Sequence, residues 1–159
     1  MRNASHLLIQ LTLAIPVLLT LVPCASASVG AVTETARKWG LIGPWSQDCS
    51  LPPDHDRGTV LIYAIARGNH LMLRRDLGDA KDDNEVVGAE VSADGMLNLR
   101  VYFPSLKQIR EYGLMRQPDG SMRAMYNRDR KGEYTIKDGK LTANGNPTPP
   151  LHKCSGAAS

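Results

Sequence analysis

The stretch LNLRVYF, residues 97–103, alternates apolar and polar side chains over its whole length. Its odd-numbered positions are leucine, leucine, valine and phenylalanine, and its even-numbered positions are asparagine, arginine and tyrosine. Successive side chains of a β-strand point to opposite faces of the sheet, so a period of two is typical of a strand with one buried face. The sequence therefore predicts a half-buried strand here.

Turn signals recur about every eight to twelve residues on both sides of this strand. The segments between them are rich in β-branched, aromatic and aliphatic residues, which favours strands. With a first strand over residues 41–49, eight to nine strands are predicted. Because a long open sheet exposes unpaired edges, we expect an all-β fold, a small antiparallel up-and-down barrel over residues 39–143. The turn signals are Pro52-Pro53, Gly68-Asn69, Gly78-Asp79, Asp94-Gly95, Pro118-Asp119-Gly120, Lys131-Gly132 and Asp138-Gly139.

The length and composition of the chain fit a single domain. The chain has 159 residues, of which 42% are hydrophobic and 22% charged. Chains of this kind bury a packed core and are not disordered. The 19 basic and 16 acidic residues give a net charge of +3, too small by itself to indicate a nucleic-acid-binding surface. We therefore expect no nucleic-acid partner.

Residues 1–27 have the three parts of a secretory signal peptide. A short start with Arg2 precedes an apolar stretch over residues 7–22, and Ala25-Ser26-Ala27 follows as a small-residue cleavage site. The sequence therefore predicts export to the periplasm or the outside of the cell, with no membrane span after cleavage. A retained membrane anchor is one alternative, and lipidation of Cys24 is another, although Pro23 departs from the usual small residue at that position.

Two cysteines, Cys49 and Cys154, remain after the predicted cleavage. An even pair in an oxidising compartment predicts a structural disulfide, and free thiols are the alternative. Between the predicted signal peptide and barrel, residues 28–38 are expected to form a flexible leader with at most one helical turn. At the other end, residues 144–159 are rich in proline and predict an extended tail that brings Cys154 to Cys49.

The tripeptide Gly43-Pro44-Trp45 at the start of the first predicted strand resembles the Gly-x-Trp motif of lipocalins and the wider calycin group. Residues 43–49, the strand meander and the tail ending at residues 151–154 also resemble a group of small exported proteobacterial proteins that have no assigned activity. The resemblance implies an eight-stranded barrel in which Trp45 packs at the closed end. It further implies that an arginine from a late strand lies across Trp45, and Arg128 is the candidate.

Several polar residues are spaced an even number of positions from apolar residues on the same strand, so they are predicted to face inward with them. Arg75 and Glu111 fall on the predicted inner faces of their strands, where a buried charge needs a partner, a solvated mouth or a ligand. A β-bulge would reverse these assignments. Tyr126 and Arg128 are spaced an even number of positions from Met122 and Ala124 and are predicted to face inward with them. The candidate ligand-binding residues are therefore Trp45, Arg75, Glu111, Tyr126 and Arg128.

The chain lacks the sequence motifs of common catalytic and metal sites. His55, His70 and His152 are isolated in sequence, and no nucleophile elbow, phosphate-binding glycine loop or dinucleotide fingerprint occurs. The acidic loop over residues 79–85 lacks the spacing of a calcium loop. The irregularly spaced methionines 72, 96, 115, 122 and 125 are interpreted as gap-filling residues and not as a copper site. We therefore predict no enzyme activity, no metal and no cofactor.

These observations predict a non-catalytic exported β-barrel that binds a small apolar or amphipathic ligand or a protein partner. A cavity lined by inward-facing residues would favour the small ligand, and a filled barrel would count against it. One alternative is a periplasmic protease-inhibitor-like module that uses residues 28–38 as a free trunk. Another is an envelope structural protein without a ligand. The oligomeric state stays open.

Overall fold

The computed structural model of the protein describes residues 28–55 and 58–155. The predicted signal peptide over residues 1–27, including Cys24, lies outside the described residues, as do residues 156–159 of the predicted tail.

The described residues form one helix and ten strands, and the strands make a single antiparallel sheet that curls into a half-barrel. The strands follow each other around the sheet in chain order, except that β10 lies beside β1, so the predicted meander is confirmed. The elements are α1 (Val29–Trp39), β1 (Gly43–Ser46), β2 (Val60–Ile65), β3 (Leu71–Asp76), β4 (Lys81–Val91), β5 (Leu97–Phe103), β6 (Gln108–Arg116), β7 (Met122–Asp129), β8 (Tyr134–Lys137), β9 (Lys140–Leu141) and β10 (His152–Lys153). Short 3₁₀ turns over Arg67–Asn69 and Pro104–Leu106 connect strands.

The hydrophobic core lies on the concave face of the sheet. The odd-numbered residues of β5 are buried to at least 99%, which confirms the alternation read from residues 97–103. Full burial of such a side chain stabilises the fold by about 1.5–3 kcal/mol. The other buried hydrophobic residues of the core are Val32, Ala36, Leu41, Trp45, Tyr63, Leu71, Leu73, Val86, Leu114 and Met122.

The segment predicted as a flexible leader forms the 11-residue helix α1, so that prediction is wrong. The Ser28 hydroxyl accepts a hydrogen bond from the third residue of the helix, and Gly40 ends it in a left-handed conformation with φ 81°. Val32, Thr33 and Ala36 pack on the core. A helix this short gains its stability from such packing, which the local sequence does not reveal. The described part of the chain contains no helix long and apolar enough to cross a membrane.

The tail closes the gap beside β7, where β8 pairs with only the end of that strand. Met122 and Leu151 exchange two backbone hydrogen bonds of 2.8 Å. Two residues further along β7, the Ala124 carbonyl accepts a 2.8 Å hydrogen bond from the Thr148 hydroxyl. Prolines 147, 149 and 150 have no N–H to donate, so a side-chain hydroxyl takes the place of a backbone donor. The sheet is thus covered by the tail and not closed by a continuous strand ladder.

The predicted disulfide between Cys49 and Cys154 is confirmed. The two sulfur atoms are 2.02 Å apart and the two Cα atoms 5.4 Å apart. The bond fastens the end of the tail to the segment after β1, across a sequence separation of 105 residues. The tail is therefore fixed to the sheet at two points, by the hydrogen bonds of Thr148 and by the disulfide at Cys154.

We predict that Thr148→Val destabilises the protein by about 1–3 kcal/mol, the cost of leaving a buried acceptor without a donor. Valine keeps the shape of threonine but removes the hydroxyl that binds the carbonyls of Ala124 and Gly139. Thr148→Ser is the matched control and is expected to lose only about 0.8 kcal/mol for the missing methyl group. Urea unfolding of the disulfide-intact variants measures both values, and equal losses would contradict the prediction.

A second prediction concerns alkaline pH. The pKa of Tyr63 is raised well above its ordinary value of about 10, mainly because the phenol is buried and secondly by electrostatic repulsion from Tyr112. Above about pH 10 the Tyr63 phenol loses its proton in the unfolded chain but keeps it in the folded chain, so the free energy of unfolding falls as pH rises. We expect Tyr63→Phe to reduce that slope by an amount that grows through about pH 10 toward a limit of about 1.4 kcal/mol per pH unit. Urea unfolding between about pH 9 and 11 tests this, and identical slopes in both proteins would refute it.

Candidate functional site

The five predicted site residues lie in three different places. Trp45 is in the core beside α1, and Arg75 lies on the concave face of β3, two strands away, because both residues pair with Leu61 of β2. The other three residues form one group on the convex face, which is the side of the sheet turned away from the core.

Trp45 is fully buried, and its indole N–H donates a 2.7 Å hydrogen bond to the carbonyl of Leu41. The arginine that lies across the indole is Arg116 of β6, with its guanidinium carbon 5.8 Å from the ring centroid, and Lys153 approaches to 5.6 Å. The assignment of this role to Arg128 is therefore wrong.

The same two cations also terminate helix α1. Arg116 donates hydrogen bonds to the carbonyls of Trp39 and Gly40, and the Lys153 ammonium donates a 3.0 Å hydrogen bond to the Gly40 carbonyl. Positive charge at the C-terminus of a helix satisfies its free carbonyls and opposes its dipole. Trp45 thus belongs to a structural junction between the helix, β6 and the tail.

Arg75 faces inward, as predicted, and it is paired. Its guanidinium lies 4.9 Å from the centroid of the Phe103 ring and makes a bidentate ion pair with Asp82. The hydrogen bond from Arg75 lowers the pKa of the Asp82 carboxyl. Asp82 also accepts a 2.7 Å hydrogen bond from the Asn84 side chain. The charge of Arg75 is therefore balanced within the protein.

Glu111 faces outward, which corrects the prediction that it points into the barrel. Its cross-strand neighbours are Arg100 on one side and Arg128 on the other. The inward positions of β6 are instead the even-numbered ones, because Tyr112 pairs with Leu99 and Arg110 with Val101. Both faces of β6 carry polar and apolar residues, so alternation alone does not show which face is buried.

A β-bulge accounts for the outward position of Tyr126 and Arg128. Leu114 pairs with Ala124, but the preceding residue, Gly113, pairs with Tyr126, so Met125 is an extra residue in β7. The alternation of the strand reverses there. The prediction that Tyr126 and Arg128 share the inward face of Ala124 is therefore wrong.

The convex-face group is held together by an ion pair and aromatic contacts. Arg128 binds Glu111 at 2.6 Å, and its guanidinium lies 5.7 Å from the Tyr126 ring and 5.9 Å from the Tyr134 ring. The Tyr126 hydroxyl donates a 2.8 Å hydrogen bond to Asn98. Partial burial, and then the negative charge of Glu111, raise the pKa of Tyr126. The phenol therefore stays protonated at neutral pH.

This group borders a hollow of about 370 Å³, here named the convex-face hollow. Gly88 and Gly113 have no side chains, which leaves room for the Arg100 guanidinium and the Tyr126 ring to lie close against the sheet. A β-carbon on Gly113 would lie 2.3 Å from the Tyr126 ring, and one on Gly88 would lie 2.7 Å from the Arg100 guanidinium. Both glycines adjoin register shifts between strands. The lining of the hollow includes Gly88, Glu90, Asn98, Arg100, Glu111 and Tyr126.

A second hollow of about 310 Å³ adjoins the first, and Tyr126 lines both. Met96, Met115 and Met125 contribute to it, so it is named the methionine hollow. Neither hollow is predicted by the alternation of the strands. A glycine inside a strand pattern is a known signal for a bulge or a close approach, and Gly88 and Gly113 carry that signal.

The chemistry of the convex-face hollow suits recognition. It combines a phenol, an amide, two carboxylates and a guanidinium. Among the described residues, no group of three or more histidine, cysteine, aspartate or glutamate side chains is arranged to hold a metal ion. Arginine, tyrosine and methionine are the residue types enriched in protein interfaces.

Comparison with known proteins does not assign the chain to a family: no protein-family model, curated protein or solved structure matches it. The resemblance to lipocalins therefore stays a prediction.

We predict that Gly113→Ala displaces the Tyr126 ring and destabilises the protein by about 1–3 kcal/mol, because the new methyl group overlaps the ring and the Met96 sulfur. Gly30→Ala is the control, since the nearest atom to its β-carbon is 3.8 Å away and alanine suits a helix. Urea unfolding and the NMR signals of the Tyr126 ring report the effect. Unchanged ring signals in Gly113→Ala would show that the contact is absent.

Proposed function

We propose that this protein is a non-catalytic binding module that works outside the cytoplasm and engages a protein partner through its convex face. The observation that carries the proposal is the convex-face hollow, which lies beside an ordered group of aromatic and charged side chains. The proposed function is still non-catalytic binding, but the proposed site lies on the convex face of the sheet and not inside the barrel.

The packing of the concave face favours an external site. Trp45, Tyr63 and Phe103 project into the core and are at most 2% exposed. Small barrels are either filled by their own side chains or hold a ligand, and these large rings occupy the space that a ligand would need. A small apolar ligand inside the barrel is therefore the weaker form of the predicted function.

The charges beside the hollow favour a protein partner. Among the described residues, Arg100 and Glu90 make no ion pair or hydrogen bond through their side chains, although both line the hollow. Glu111, in contrast, is already paired with Arg128. A partner that offers a carboxylate to Arg100 would neutralise its charge, and complementary charges of this kind confer specificity.

The location and the barrel type are part of the proposal. The disulfide between Cys49 and Cys154 and the signal-like sequence of residues 1–27 support an oxidising compartment. The burial of Trp45 under Arg116 supports a calycin-like barrel, because the resemblance implies an arginine over that tryptophan.

The alternative hypotheses receive less support. A protease inhibitor that acts through residues 28–38 needs a free segment, and α1 instead packs on the core through Val32 and Ala36. No specific observation on the described residues favours an envelope protein without a ligand. Both alternatives stay as predictions from the sequence.

A photo-crosslinking experiment in the producing cells tests the proposal. A photoreactive amino acid at Glu90, on the wall of the hollow, is expected to give a discrete adduct with one protein. The same amino acid at Arg67, an exposed residue of the β2–β3 turn, is the control and is expected to give none.

A filling variant makes the experiment specific to the hollow. Gly88→Val places its side chain against the flexible end of Arg100 and suits a strand, so the fold is expected to persist. We expect it to reduce the Glu90 adduct by about tenfold, equivalent to about 1.4 kcal/mol of binding. Equal adducts from Glu90 and Arg67, or an adduct that Gly88→Val does not affect, would overturn the proposal.

A further inference from the structure

Three thioether side chains from three separate elements line the methionine hollow. Met96 directly precedes β5, Met115 lies in β6 and Met125 lies in β7. All three are partly exposed on the convex side, whereas Met122 is fully buried in the core. Gap filling explains Met122 but does not explain three methionines around one open hollow.

The backbone explains how these side chains converge. Gly113 has no side chain, so the Met96 sulfur lies 2.8 Å from the place that a β-carbon would occupy there. Met125 is the extra residue of the β7 bulge, and its sulfur lies 3.6 Å from the corresponding position at Gly139. Gly113 and Gly139 therefore leave room for the Met96 and Met125 side chains, which are distant in sequence and line the same hollow.

We propose that the methionine hollow binds a soft monovalent metal ion, Cu(I), for which Ag(I) is a redox-stable probe. Thioethers are soft ligands that select Cu(I), whereas imidazole and carboxylate ligands suit zinc, copper(II) and the harder cations. The proposal does not depend on the protein partner proposed above, because the metal would bind the isolated chain.

The rest of the described chain offers little competition for such an ion. Cys49 and Cys154 are bonded to each other, so neither provides a thiolate. His70 lies 2.6 Å from Glu85, and His55 lies 3.4 Å from Asp79, both away from the hollow. The methionine sulfurs are therefore the soft donors that remain grouped in one place among the described residues.

The charges around the hollow are compatible with a monovalent cation. Asp94 lies at the rim, where its carboxylate accepts hydrogen bonds from the Ser92 hydroxyl and the Met96 backbone N–H. Asp138 also lines the hollow, and Lys137, whose ammonium lies 5.7 Å from the Tyr134 ring, is the opposing charge.

Methyl NMR of the isolated, disulfide-intact protein tests the proposal. The protein is labelled with ¹³C at the methionine methyl groups and titrated with silver nitrate in chloride-free buffer. We expect the signals of Met96, Met115 and Met125 to shift together and to saturate at one equivalent, while those of Met72 and Met122 stay in place. Anaerobic competition between the protein and a chromogenic Cu(I) chelator then measures the affinity for Cu(I).

A triple variant, Met96→Leu with Met115→Leu and Met125→Leu, keeps the apolar volume and removes the three sulfurs. Loss of supporting groups around a metal site costs about 10–100-fold in affinity, so removal of three ligands is expected to cost more than about 100-fold. Met72→Leu, at a partly buried position on β3, is the matched control and is expected to leave binding unchanged.

Three results would overturn the proposal. The first is the absence of saturable shifts at Ag(I) concentrations well above that of the protein. The second is full binding by the triple leucine variant, and the third is equal loss in Met72→Leu. The metal titration uses no partner protein, so its failure leaves the crosslinking result from Glu90 untouched, and the reverse also holds.

Discussion

The β-bulge in β7 is the constraint on which the convex face depends. One residue, Met125, has no partner on β6, and every side chain after it changes face. Asn127 is thereby buried, where it accepts a 2.7 Å hydrogen bond from Arg110, while Tyr126 and Arg128 turn outward. A regular strand would bury an arginine and a tyrosine and expose the asparagine. The extra residue therefore decides which polar groups the core must satisfy and which groups face solvent.

The two ends of the described chain complete the fold in different ways. Helix α1 adds apolar side chains to the core and is held at its C-terminus by Arg116 and Lys153 over the buried Trp45. The proline-rich tail covers the edge of β7 with the few donors that it has, and the disulfide retains it there. Both segments lie outside the hairpin meander, yet both are needed to cover apolar surface or unpaired backbone that a half-barrel would expose.

The features that suit recognition are concentrated on the convex face. Its two hollows share the Tyr126 ring, which is positioned by the missing side chain of Gly113 and by the hydrogen bond to Asn98. A metal ion in the methionine hollow and a partner in the convex-face hollow would therefore both lie beside Tyr126. The two proposals therefore concern neighbouring sites that are structurally connected but chemically different, with soft sulfur ligands in one and polar and charged groups in the other.

The sequence by itself determined the strands, the turns and the disulfide. A period of two over residues 97–103, glycine and proline between the strands, and two cysteines after a signal-like N-terminal sequence are local or compositional signals. Only the tertiary structure showed that helix α1 forms, that Glu111 and Arg128 lie on the convex face, and that the two hollows exist. A short helix depends on a core that distant strands supply, and a single inserted residue reverses all later side chains without changing the local pattern. The partners of Tyr126 and Met125 lie on other strands, so their contacts exist only once the register is set.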